Sequence, residues 1–134
     1  MDIPFGPQLI GQVEKTLDAV LHQVIDGRLT EPQWVTLRLA DLLEPQIGSS
    51  TELAHAVADR ARYAEAPALV EGLTAAGLLG DGRLTDAGRS TVTAVQAEIA
   101  ERTEPVWADL DPDDVAAATR ALNTVLGRTR SLLT

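Results

Sequence analysis

Leu9, Ile10, Val13, Leu17, Val20, Leu21, Val24 and Ile25 recur at intervals of three and four, one broad apolar stripe on a helix over residues 8–26. Gly27 is a natural stop for that helix. Thr30 then reads as an N-cap, with Gln33 completing a capping box and Pro32 in the first turn. The second helix runs to about Leu43, ahead of Pro45. Gln46-Ile47-Gly48 is a loop, and Ser49-Ser50-Thr51-Glu52 forms a second capping box. It starts a third helix with Leu53 and Val57 inward, ending between Arg60 and Tyr63.

Proline is tolerated in a helix only in its first turn, so Pro67 places the start of the fourth helix near Ala66. Leu69, Val70 and Leu73 point inward from it, and Gly77 ends it. Leu78 and Leu79 lead into Gly80-Asp81-Gly82, a tight turn between two short extended pieces. Thr85 caps a fifth helix that reaches about Trp107, with Val92, Val95, Ile99 and Val106 on one face; Pro105 should kink or stop it. Asp111 caps a sixth helix, with Pro112 at its first position and acids against its dipole. Val115, Leu122, Val125, Leu126, Leu132 and Leu133 are its apolar positions. The fold class that follows is all-α with a minimal β-hairpin.

Composition agrees. The core must be aliphatic, because Phe5, Trp34, Tyr63 and Trp107 are the only aromatics among 134 residues. Alanine and arginine, both strong helix formers, are abundant, and Lys15 is the only lysine. The absence of cysteine excludes disulfides, thiolate zinc sites and cysteine nucleophiles, and it fits a cytoplasmic protein. No signal segment and no apolar run of membrane-spanning length is present, so no membrane partner is expected. The length suits a single domain over 1–134. The apolar stripes of helices 1, 5 and 6 exceed what a compact three-helix core can cover, which suggests a homodimer. The alternative is that these stripes pack against one another within a monomer.

Two strings set the frame. Thr30-x-x-Gln33-Trp34-x-x-Leu37 opens the second helix; Leu73-x-x-x-Gly77-Leu78 and Leu84-Thr85-x-x-Gly88-Arg89 bracket the hairpin. In this order and spacing, covering about residues 8–133, the chain resembles the MarR family of winged helix-turn-helix proteins. The resemblance implies dimerisation helices at 8–28 and 85–133 around a winged-helix part at 29–84. It implies a bacterial transcription regulator that binds double-stranded DNA as a homodimer and responds to a small aromatic ligand. The ligand crevice would involve His22, Trp34, Arg38 and Tyr63; the competing reading makes Trp34 plain core and His22 a partly exposed residue of the dimer face.

Three departures bear on the DNA. The stretch matching the recognition helix, Tyr63-Ala64-Glu65-Ala66-Pro67-Ala68-Leu69-Val70-Glu71, has no basic residue to offer base edges or phosphates. The wing is cut to Gly80-Asp81-Gly82-Arg83. From Thr51 to Arg89 six acids face four arginines, a net of −2, in a chain whose total is −9. DNA contacts are therefore expected to be weak or lost. The best remaining candidates are Arg60, Arg62, Arg83 and Arg89, with Ser49 and Ser50 at a helix N-terminus. The competing reading pairs these arginines with Asp59, Glu65 and Asp86.

Catalytic signatures are missing: Gly88-Arg89-Ser90-Thr91-Val92 lacks the final glycine of a nucleophile elbow, and Gly77-x-x-Gly80-x-Gly82 lacks the lysine of a phosphate loop. No catalytic residue, cofactor or metal site is assigned, since His22 and His55 stand at unrelated positions. The alternative function is a protein of the same fold that has left DNA and works as a small-molecule binder, a partner-binding module or an enzyme.

Overall fold

The computed structural model describes residues 2–134. The described chain is mostly helical, with one two-stranded antiparallel sheet. The order is α1 (Pro7–Ile25), α2 (Glu31–Leu42), a 3₁₀ turn (Glu44–Gln46), α3 (Ser50–Ala61), α4 (Ala66–Ala75), β1 (Leu79–Gly80), β2 (Arg83–Leu84), α5 (Asp86–Trp107) and α6 (Pro112–Leu132). No helix among the described residues is long and apolar enough to cross a membrane.

Local chemistry sets most boundaries. At α2 both arms of the capping box form: the Gln33 N–H donates to Thr30 Oγ1 (3.2 Å) and the Thr30 N–H to Gln33 Oε1 (2.9 Å). At α3 the Ser49 hydroxyl accepts the Glu52 N–H (3.1 Å), but the Glu52 carboxylate takes the Gly48 N–H (2.8 Å). The expected reciprocal box is thus displaced by one residue, because the extended Ser49 backbone (φ −159°, ψ 162°) presents the Gly48 donor to the carboxylate. α4 ends as a Schellman turn: Gly77 is left-handed (φ 81°), and the Gly77 and Leu78 N–H groups donate to the carbonyls of Thr74 and Leu73.

The hairpin pairs Leu79 with Leu84 and Gly80 with Arg83. Positive φ at Asp81 and Gly82 matches the strand twist of a two-residue turn. Gly82 also fills a second requirement. A Cβ there would lie 2.3 Å from the Ser49 carbonyl oxygen, so the turn rests directly on the backbone that enters α3. Arg83 Nε donates to the Ile47 carbonyl (3.1 Å) and fastens the same junction.

The chain divides into two compact units, one ending at Arg102 and the other Thr103–Thr134. The boundary falls inside α5. The core of the first unit joins Ile25 and Trp34 to Leu37, Leu53, Val57, Val70, Leu73, Leu79, Leu84, Val92 and Val95. Its one buried hydroxyl, Thr36, donates to the Pro32 carbonyl (2.8 Å).

Several expected inward positions differ. Of the α1 stripe only Val24 and Ile25 are buried, and Val13 is exposed. Leu69 is half-buried. Val106 is exposed although Val92 and Val95 are buried on the same helix. α5 ends at Trp107 as expected, two residues after Pro105, and Asp109 beyond it turns left-handed (φ 62°). The Pro105 ring forgoes one hydrogen bond in the last turns, and the Ala108 N–H still donates to Glu104. In the second unit, no residue of α6 is buried.

Candidate functional site

α3 and α4 are joined by the four residues 62–65, and Arg62 at φ 62° makes the bend. The two helices pack on each other and on α2, and the hairpin follows α4 directly. Helix, short turn, helix and hairpin thus follow one another within residues 50–84.

The surface chemistry of that unit is sparse. On α4, Pro67, Ala68, Glu71, Gly72, Thr74 and Ala75 are exposed. None carries the amide or guanidinium fork that reads a base pair, and the Thr74 hydroxyl donates back to the Val70 carbonyl (2.7 Å). Arg60 is exposed near the end of α3. Arg62 is exposed and reaches the Asp59 carbonyl at 3.5 Å. Arg83 spends only its Nε on Ile47, leaving its terminal nitrogens for other acceptors. Arg89 is committed elsewhere: it pairs with Glu44 (2.9 Å) and Asp41 (3.7 Å), and Asp41 also pairs with Arg38 (3.2 Å). The partners of Arg89 are thus Asp41, in the last turn of α2, and Glu44, in the 3₁₀ turn after it, not the nearby Asp86. Ser49 uses its hydroxyl as a cap, and Ser50 is the first, half-buried residue of α3. The Glu52 carboxylate already occupies the positive end of that helix.

Ser50 also borders a shallow cleft of about 510 Å³ between α3 and α4, lined by Ala54, His55, Pro67, Val70 and Thr74. This places His55 on the surface that α3 and α4 share.

The four residues expected around a ligand differ in their surroundings. Trp34, 6% exposed, belongs to the core. Arg38 lies in the ion-pair network of Asp41. Tyr63 is half-buried against the core. His22 is exposed and lines an open cleft of about 610 Å³ at the junction of α1 and α2, with Gln23, Ile25, Leu29, Glu31 and Pro32. That volume lies within the range of small-molecule sites, about 300–1,000 Å³.

His22 gathers two acids that sequence reasoning passed over. Its Nε2 lies 3.2 Å from Glu31 Oε2 and 3.7 Å from Asp18 Oδ2. Asp18 precedes His22 by one helical turn, and Glu31 is the first residue of α2. Partial burial, then the hydrogen bond and charge of Asp18, raise the Glu31 carboxyl above its ordinary value, against the opposing pull of His22. The Tyr63 hydroxyl is also raised, first by burial and then by the charges of Glu31 and Asp18. The Asp18–His22 spacing of four was the one signal available in the sequence; Glu31 lies across a helix break, where periodicity says nothing. Compared with protein-family models, curated proteins and solved structures, the chain has no match.

Proposed function

We propose that the protein is a MarR-like winged helix-turn-helix regulator that binds double-stranded DNA as a homodimer and is controlled by a small ligand. The observation that carries this reading is the short turn between α3 and α4 with the hairpin immediately after α4. A surface built this way enters a groove with α4 and touches the flanking backbone with the wing. With no base-reading side chain on α4, affinity comes from phosphate contacts by Arg60, Arg62 and Arg83, and selectivity from DNA shape. The exposed apolar positions of α6, among them Val115, Leu122 and Leu126, support the dimer. The cleft beside His22 is the place for the ligand.

Three arginines in each of two protomers give about six phosphate contacts, hence a slope of log K against log salt of about −5. Anisotropy titrations against labelled fragments of the gene's own upstream region, at low and moderate salt, test this. Arg60→Ala with Arg62→Ala removes four of the six contacts and should flatten the slope to about −2. Unchanged affinity in that variant removes these residues from the interface. No binding at low salt refutes the regulator.

A second reading is favoured by the α3–α4 cleft and by Glu71 on an α4 surface without basic groups. Here the same fold has left DNA and receives a protein partner or a small molecule. Absence of DNA binding together with a retained dimer is the outcome that selects it.

A further inference from the structure

We infer that Asp18, His22 and Glu31 form a binding site for a divalent first-row transition-metal ion of the zinc or manganese class. One imidazole nitrogen and two carboxylate oxygens, drawn from the end of α1 and the start of α2, lie within 4.8 Å of one another. Tetrahedral coordination at about 2.1 Å places ligand atoms about 3.4 Å apart. The observed separations from His22 Nε2, 3.2 Å to Glu31 and 3.7 Å to Asp18, bracket that spacing. The two carboxylate oxygens lie within 4.8 Å of each other, so the site requires side-chain adjustment and no change of fold.

The charge arrangement points the same way. Nε2 can share a single proton, whereas two carboxylates face it. Arg28, three positions before Glu31, is engaged elsewhere: it is held bidentate by Glu98 (3.0 and 3.1 Å) and also donates to the Val24 carbonyl (2.6 Å). A dication bound to Nε2 and to one oxygen of each carboxylate satisfies all three groups together. Mixed nitrogen and oxygen donors suit zinc, manganese or nickel better than the all-oxygen preference of calcium and magnesium. The open cleft beside the triad leaves the remaining coordination positions to water or to a ligand group. His55, on α3, takes no part. The ion would fasten α1 to α2 whether or not the protein binds DNA.

The test is calorimetric titration of the full chain, first stripped with a chelator, with zinc chloride and separately with manganese chloride. The expected result is saturable binding of one ion per chain. Asp18→Asn, His22→Ala and Glu31→Gln should each weaken it by about tenfold or more, and His55→Ala should leave it unchanged. All three side chains lie at least partly in solvent, and far-UV circular dichroism checks that each variant is folded. A shift of the His22 ring resonances on zinc addition, with those of His55 unmoved, supplies a readout independent of the variants. Failure to saturate with either ion, binding that survives His22→Ala, or binding abolished by His55→Ala would overturn the inference.

Discussion

Replacing Gly88 by alanine sets two effects of known size against each other. Gly88 lies in the first turn of α5, and an interior helical glycine costs about 0.8–1 kcal/mol relative to alanine. On propensity alone Gly88→Ala should stabilise. The tertiary contact says the opposite. A Cβ at this position would stand 2.1 Å from the Leu78 carbonyl oxygen, 3.0 Å from its carbon and 3.3 Å from Leu84 Cδ2. Ordinary contact begins more than an ångström further out, and the obstacle is backbone that cannot rotate away. The same Leu78 carbonyl accepts the Thr85 N–H (3.1 Å), and Thr85 Oγ1 accepts the Gly88 N–H (3.1 Å). Separation therefore loosens the α5 cap and the hairpin together. Overpacking typically costs about 1–3 kcal/mol, and here the lost hydrogen bonds add to it. The net expectation is a loss of about 1–2 kcal/mol. Gly72→Ala is the control: α4 is helical there and nothing lies within 4 Å of the added carbon. That variant should gain up to about 1 kcal/mol. Urea unfolding at one fixed protein concentration should separate the two variants by about 1–3 kcal/mol. If Gly88→Ala is as stable as the parent, the close approach of α5 to the hairpin is wrong.

Arg89→Ala should cost about 0.5–1 kcal/mol in the same assay through its partly exposed pairs with Glu44 and Asp41, and should leave DNA affinity unchanged; a loss of DNA affinity without loss of stability would return Arg89 to the interface. Tyr63 is the sole tyrosine, so phenolate absorbance follows it alone, and its midpoint should lie above the ordinary 10.0. Because the folded state holds that proton more tightly, stability should be intact below pH 10 and fall as pH rises from there through the folded midpoint; a stability curve that rises across this window contradicts the assignment. Leu126→Glu on the exposed stripe of α6 should convert a dimer to a monomer in light scattering at little cost to the helix, and an unchanged mass places the interface elsewhere. Thr30→Ala should remove the hydroxyl that accepts the Gln33 N–H, leave the backbone arm of the α2 cap in place and cost about 1 kcal/mol.

Local signals were readable where one residue and its next turn decide the outcome. Thr30 with Gln33, Gly77, Asp81-Gly82 and Asp111-Pro112 each set a boundary that the structure keeps within about two residues. Readings that needed distant partners fared differently. The apolar stripe of α1 gave its helix, but not that burial would be confined to Val24 and Ile25. For the site, the poverty of α4 in basic groups was visible in the sequence. The commitment of Arg89 to Asp41 and Glu44 was not, since those acids lie more than forty positions away.

The sequence by itself determined the six helices, the place of the hairpin and the acidic character of the surface, because capping, turn chemistry and net charge act over a few residues or over the whole composition. Only the tertiary structure decided which of those residues meet. It set the Gly82 turn against Ser49 and the start of α5 against Leu78, where a missing side chain is what permits contact. It also drew Glu31 across the Gly27 break to Asp18 and His22, turning an exposed histidine and two ordinary helix acids into one cluster. Contacts of that kind depend on the angle at which α1 meets α2. Ile25 of α1 and Trp34 of α2 join the two helices in one shared core, a meeting that no local spacing encodes.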